Sequence, residues 1–311
     1  MLTIKDINYN KQLLETKIGD IHIDSIILET NGMQTSQFYA EDKLHRIRSC
    51  SKLLVALATG IAIDKKLLVN NEPLTLETKI YPIIKNLVTI KNVENIEKLE
   101  NWTLFNLLTH STGYEKQMFS ERFIKDLDDS ELLDYALNYD FPYDVGTRYA
   151  YNNVEPFVIS VIFQEAFNIN LADFVNEHIF KKLNIAEYNW LNYGKYCVGA
   201  TGLSLKHADF HKIGQLLLNE GKYEGVQVVP TAWINAMCTV QIETPSAYKP
   251  ERVLPKLGAG YFTFISRDGF VFRDGADGQY IIVNREAGVL LTVLSSEPDM
   301  KNVTEVLRGL V

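Results

Sequence analysis

Ser49-Cys50-Ser51-Lys52-Leu53-Leu54-Val55-Ala56-Leu57-Ala58-Thr59-Gly60-Ile61-Ala62-Ile63 is the stretch on which the reading of this chain turns. From Leu53 onward it is apolar on every side, which predicts a helix buried all round rather than an amphipathic surface helix. A spacing of three residues brings the Ser49 hydroxyl and the Lys52 amine onto one face. An amine withdrawn from water loses part of its preference for the charged form. It can then take the hydroxyl proton and so turn a serine into a nucleophile. The same helix N-terminus favours negative charge as it develops. The pattern predicts acyl transfer through Ser49 with Lys52 as base; the plainer alternative is that Ser49 only caps the helix.

Context has to separate these readings, because the S-x-x-K spacing recurs at Ser246-Ala247-Tyr248-Lys249. Pro245 and Pro250 flank that second copy and disfavour a regular helix across it, so it reads as a surface loop. A second motif supports the first copy. Gly146-Thr147-Arg148-Tyr149-Ala150-Tyr151-Asn152-Asn153 sets Tyr151-x-Asn153 after a turn and before a helix beginning near Pro156. A phenol beside a lysine can relay protons, and an asparagine amide can orient the lysine or donate to a substrate carbonyl. Taken alone, Tyr151 reads equally as a core aromatic. The third element is Arg273-Asp274-Gly275-Ala276-Asp277-Gly278-Gln279, a strand end at which glycines admit close approach to the backbone. An amide there, paired with that of Ser49, would make an oxyanion hole; Asp277-Gly278 would also suit an ordinary hairpin turn.

Composition narrows the field. The chain has 311 residues, 46% of them hydrophobic, enough for one elaborate domain or two lobes with a large core. A net charge of -8 argues against a nucleic-acid partner, which calls for a basic surface. Cys50, Cys197 and Cys238 are odd in number and lack C-x-x-C spacing. They read as buried free thiols rather than a disulfide framework or a zinc site. His207 and His211 lie four apart on an expected helix, but no glutamate follows His207 as in H-E-x-x-H, so no metal and no cofactor is expected. The start, Met1 to Asn8, lacks the pattern of a secretion signal, and the run Leu53 to Ile63 is too short to cross a bilayer. The expectation is a soluble cytoplasmic protein with a small-molecule partner, no membrane partner, and an oligomeric state the sequence does not fix.

Strands open and close the chain. Ile21 to Leu28 run to Asn31-Gly32, a hairpin-turn dipeptide, with Phe38-Tyr39 on the return. Near the C-terminus, Gly260 to Ile265, Phe270 to Phe272, Gln279 to Val283 and Val289 to Leu294 read as strands, and Pro298 to Leu310 as a helix. Helices are expected at Leu104 to Leu108, Asp129 to Leu137, Pro156 to Phe167 and Leu171 to Leu183. The fold class is therefore α/β (α+β): an antiparallel sheet formed by both termini and flanked by helices, with an inserted, mostly helical lobe. The sheet-bearing lobe is expected over 1–65 and 205–311 and the helical lobe over 66–204, with the site at their junction.

The order S-x-x-K, Tyr-x-Asn, Gly-rich strand edge resembles the serine beta-lactamase and penicillin-binding protein superfamily, in its class C-like branch. Trp102 to Tyr114 looks like that family's "LLTHTSG" segment, and Ala200 to Leu205 with Asp209 is similar to its "GL-x-x-x-x-D" helix start. The resemblance covers nearly the whole chain. It implies Ser49 as acylated nucleophile, Lys52 and Tyr151 as proton-transfer pair, Asn153 as substrate and lysine contact, and the Ser49 and Ala276 amides as oxyanion hole. It gives His110 a structural role. Where the family has Lys-Thr-Gly or His-Thr-Gly, this chain has Arg273-Asp274-Gly275, residues expected with Ala276 to contact substrate. Strand alternation predicts that Arg273 and Asp274 point to opposite sides. An inward Asp274 would repel an anionic substrate and favour neutral or amine-bearing esters and amides. The alternatives are a noncatalytic binding protein of the same fold and a penicillin-binding D-alanyl-D-alanine carboxypeptidase.

Overall fold

The computed structural model describes residues 21–245, 254 and 256–307. The expectations for Met1 to Asn8, for Ser246 to Lys249 and for the last turn of the C-terminal helix lie outside the described residues. The chain divides into two compact units. One holds residues 51–182 and 190–202, the other 1–50, 183–189 and 203–311. The helix that follows Ser49 thus belongs to the helical unit.

The helical unit is built on α1 (Lys52–Asp64), α2 (Leu104–Leu108), α3 (Leu132–Asn138), α4 (Val154–Phe167) and α5 (Leu171–Val175). Every residue of α1 from Lys52 to Ala62 is buried, as the all-round apolar run predicts. In α4 the same holds from Val154 to Phe163. These two helices pack on each other, and α1 also packs on α5. Thr103 starts α2 with a capping box in which Asn106 answers its backbone. The helix expected over Leu171 to Leu183 runs that whole length but changes its winding: after α5 it widens into a π-turn (Asn176–Phe180) and tightens into a 3-10 turn (Lys181–Leu183). Ile179, Phe180 and Leu183 stay buried through these changes, so the apolar spacing survives although the hydrogen-bond ladder does not.

In the sheet unit, β1 (Ile23–Thr30) and β2 (Met33–Phe38) form the N-terminal hairpin. The later strands are β3 (Ile242–Glu243), β4 (Lys256–Ala259), β5 (Phe264–Ser266), β6 (Val271–Gly275), β7 (Gln279–Asn284) and β8 (Val289–Ser295). They make one eight-stranded sheet in the order β3-β4-β5-β6-β7-β8-β1-β2. The described pairings are antiparallel, and β1 lies beside β8, so residues from both ends of the chain complete the sheet. Asn31 and Gly32 turn the first hairpin with φ of 50° and 78°, the left-handed pair that a tight hairpin turn requires. The helix α6 (His207–Leu218) packs on β7 and β8, and α7 (Met300–Leu307) follows the sheet. The expected strand from Gly260 to Ile265 is displaced: β4 ends at Ala259 and β5 begins at Phe264, with Phe262 at φ 54° in the turn between them. Cys50 and Cys197 are buried, but Cys238 is only half-buried. Among the described residues, no single helix is long and apolar enough to cross a membrane.

Candidate active site

Lys52, the first residue of α1, is 0% exposed. A buried amine must find partners for its N–H groups, and oxygens of Tyr151, Asn153 and Ala200 are among those around this one. Its Nζ lies 2.9 Å from Tyr151 Oη, 2.7 Å from Asn153 Oδ1 and 2.9 Å from the Ala200 carbonyl oxygen. All four residues belong to the helical unit. The polarity of two of these bonds is forced. The Ala200 carbonyl can only accept. Asn153 turns its amide nitrogen to the Phe119 carbonyl at 3.0 Å, which can also only accept, so its oxygen faces Lys52. The third bond is different, because a phenol both donates and accepts. As an ammonium Lys52 donates to Tyr151; as an amine it receives the phenol proton at the same heavy-atom geometry. The pair can pass one proton between them without rearrangement.

Each member is held by its own segment. Tyr151 follows Ala150, whose N–H donates to the His110 carbonyl at 2.8 Å, and its ring lies 5.2 Å from the His110 ring. His110 is itself fixed: Nδ1 meets Glu155 Oε2 at 3.1 Å, and the Thr112 hydroxyl donates to Glu155 Oε1 at 2.7 Å. His110 and Glu155 are both buried. The structural role implied for His110 thus has a concrete form, with Glu155 as its base. Asn153 precedes α4 and receives support at its backbone N–H from Gln117 Oε1 at 3.0 Å. Ala200 depends on Gly199, which has φ 64°. A Cβ on Gly199 would stand 2.7 Å from the Pro156 carbonyl oxygen, so this loop closes on α4 only without a side chain.

In the sheet unit, half-buried Ser49 lies in a 3-10 turn (Arg48–Ser51) that runs directly into α1. Ser51 stands at the N-cap of α1 and makes no side-chain capping bond. The turn is tied to β6. Arg273 Nε donates to the Ser49 carbonyl at 3.1 Å, and the Cys50 thiol lies 3.7 Å from the Arg273 carbonyl. Gly275 ends β6 against the same turn: a Cβ there would be 2.9 Å from the Ile47 carbonyl oxygen. Ala276, just beyond, is exposed.

Both charged residues of β6 are buried, as is the whole strand, with exposures of 0% for Arg273 and 9% for Asp274. β6 is an interior strand, paired on both edges; the Arg273 guanidinium carbon lies 5.0 Å from the centre of the Phe264 ring, and its Nε donates to the Ser49 carbonyl. Arg273 therefore ties the turn that carries Ser49 to β6. His207 and His211 also turn away from metal ligation: their ring nitrogens are engaged by Ser25, Thr292 and Glu29. Sequence reading missed three contributors: the Ala200 carbonyl, Glu155 and the pair Arg48–Asp277. A main-chain oxygen has no signature of its own, although the glycine before it is a hint. Glu155 was legible as an acid set against the apolar run that follows it.

A family model described as Beta-lactamase matches residues 18–196. No curated protein matches the sequence. Among solved structures, the chain is similar to an octameric penicillin-binding protein homologue from Pyrococcus abyssi, at 16% identity and a TM-score of 0.74 over 97% of this chain and 76% of that one. It is also similar to EstCE1, a hydrolase with promiscuous acyltransferase activity, at 13% identity and a TM-score of 0.75 over 99% and 100%. Simvastatin synthase (LovD) from Aspergillus terreus matches at 13% identity and a TM-score of 0.75 over 99% and 97%. These similarities show a shared fold, and the family model spans more than half of the sequence. The chain belongs to the beta-lactamase family, within the serine beta-lactamase and penicillin-binding protein superfamily.

Proposed function

We propose that the protein is a serine hydrolase that cleaves an ester, amide or small peptide through an acyl-enzyme on Ser49. The observation that carries this reading is the enclosed Lys52 amine, whose bond to the Tyr151 phenol can reverse while those to the Asn153 and Ala200 oxygens cannot. Ser49 Oγ attacks the substrate carbonyl carbon while its proton enters the Lys52–Tyr151 pair. The carbonyl oxygen takes the negative charge, stabilised by the Ser49 and Ala276 amides. Collapse of this intermediate breaks the bond to the leaving group, which departs with the proton held by the pair. A water then gives its proton to the same pair and its oxygen to the acyl carbon, releasing Ser49.

Neutral acyl substrates fit best. The two charges of β6, Arg273 and Asp274, are both buried, so the strand that carries Lys-Thr-Gly or His-Thr-Gly in relatives offers no open cation to a substrate carboxylate. The test is intact-mass spectrometry after treatment with a fluorophosphonate, with Ser49→Ala as control. One adduct on the wild type and none on the variant supports the reading; an unlabelled wild type refutes it. Turnover of a short-chain p-nitrophenyl ester against nitrocefin checks the preference, which a faster nitrocefin rate would overturn.

A further inference from the structure

Two side chains flank the nucleophile turn in backbone conformations that ordinary residues avoid. Arg48, directly before Ser49, has φ 52°, and Asp277, directly after Ala276, has φ 63°. Left-handed backbone is tolerated by aspartate but is uncommon for a long side chain such as arginine. Their side chains meet: Arg48 Nη2 lies 2.5 Å from Asp277 Oδ2, with exposures of 32% and 31%. Between them Gly275 leaves room for the approach, since a Cβ there would lie 3.0 Å from Arg48 Cβ. With the Arg273–Ser49 and Cys50–Arg273 contacts, the segments 47–50 and 273–277 are joined by bonds running both ways. A half-exposed ion pair contributes little to stability. Strained backbone held on both sides of one is a device for position.

We infer that the Arg48–Asp277 ion pair sets the separation of the Ser49 and Ala276 amides, and so the fit of the oxyanion between them. This rests on the serine-hydrolase reading above. Arg48 shares a peptide unit with the Ser49 amide and Asp277 is bonded to Ala276, so the length of the pair is transmitted to each amide through the adjoining backbone. Both are positioning residues, for neither needs to touch the substrate.

The test is the second-order rate of Ser49 labelling by a fluorophosphonate, whose phosphoryl oxygen takes the place of the oxyanion, together with kcat and KM for a p-nitrophenyl ester. Asp277→Asn keeps the size and the left-handed tolerance of the residue while removing its charge. Arg48→Gln removes the other charge. Each single variant is expected to label about ten-fold more slowly, the order lost when a reacting group is misplaced by a fraction of an ångström, with kcat falling and KM within two-fold. The double variant is expected to be no slower than either single one. In 1 M NaCl the wild type is expected to slow toward the variants, which themselves do not change, because a half-exposed pair is screened. Arg48→Lys, which keeps a cation, is expected to recover part of the rate. Wild-type labelling rates in Asp277→Asn, or losses that multiply in the double variant, would overturn the inference while leaving the hydrolase reading intact. A wild type that fluorophosphonate does not label overturns both. If Arg48→Gln does not fold, Asp277→Asn and the salt dependence decide alone.

Discussion

Among the described residues, a buried polar cluster in the sheet unit and the one around Lys52 in the helical unit differ in what anchors them. In the sheet unit, α6 lays His207 and His211 against β1 and β8. Glu29 can only accept, so His211 Nε2, 3.2 Å away, must donate to it, as Gln215 does at 2.7 Å. His211 Nδ1 lies 2.8 Å from the Thr292 hydroxyl, Thr292 lies 3.1 Å from His207 Nε2, and His207 Nδ1 meets the Ser25 hydroxyl. One carboxylate anchors the row. In the helical unit two carbonyl oxygens fix two of the Lys52 bonds, and the phenol at the third leaves its direction open. A network anchored on a carboxylate holds structure; a network closed by a phenol can move a proton.

The harshest way to break this contrast is to remove the amine. Lys52→Met fills the same volume without a donor or acceptor, and labelling and ester turnover should fall by about 10³-fold or more, as when a nucleophile loses its base. The measurement is the fluorophosphonate rate against Ser49→Ala as floor; a loss below ten-fold would mean that Lys52 is not the base. Tyr151→Phe keeps the ring on His110 and deletes only the reversible bond. A drop of about 10²-fold is expected, the lower range of general acid–base effects, with the folded state unchanged by near-UV circular dichroism. Unaltered turnover would show that the phenol is a spectator.

The sheet cluster should answer to pH through stability. Burial, reinforced by the nearness of His211, pushes the His207 imidazole down to about 3. Between the unfolded value of about 6.5 and that figure, the unfolded chain binds a proton that the folded one refuses. Acid should therefore cost about 1.4 kcal/mol of stability per pH unit over this window. Glu29 adds loss of the same sign. Its hydrogen bond from His211 holds its carboxyl below the ordinary value despite burial, so its contribution is present above about pH 4.5 and disappears as pH falls through the lowered value. Urea melts of the wild type and His207→Gln at pH 7, 6 and 5 test the first term. The glutamine can accept from Ser25 and donate to Thr292, and the slope with pH should flatten; parallel slopes would place the acid sensitivity elsewhere.

How far these clusters could be read in advance follows from the range of the interactions. The buried helix behind Ser49, the hairpin at Asn31-Gly32 and the sheet joining both ends of the chain all rest on local periodicity and turn chemistry, which a sequence displays. Tyr151 and Asn153 were legible as residue types at a fixed spacing. The Ala200 carbonyl was not, since any residue supplies a carbonyl and only the path of the chain brings this one to Lys52. The burial of Arg273 was hidden for a related reason: strand alternation says which way a side chain points, but the depth of β6 within an eight-stranded sheet is a tertiary fact. His207 and His211 showed their helical spacing and nothing of Glu29, which lies 182 residues from His211 in sequence.

The least drastic change tests whether two fixed acceptors are needed at all. Gly199→Ala adds one methyl group, far from any reacting atom by chemistry but next to the residue whose carbonyl holds Lys52. The new Cβ would stand 2.7 Å from the Pro156 carbonyl oxygen, part of the backbone of α4, which cannot yield as a flexible side chain does. The backbone at φ 64° is also unfavourable for alanine. Together these should cost about 1–3 kcal/mol of stability. The loop that carries Ala200 is the softer partner and should move, which lengthens its bond to Lys52 and frees one amine proton from a fixed direction. Labelling should then slow by several-fold at temperatures where the variant is fully folded. If the melting temperature falls and the labelling rate does not, the Ala200 carbonyl serves only to satisfy a buried amine, and a single forced acceptor, Asn153, is enough to keep the Lys52–Tyr151 bond as the reversible one.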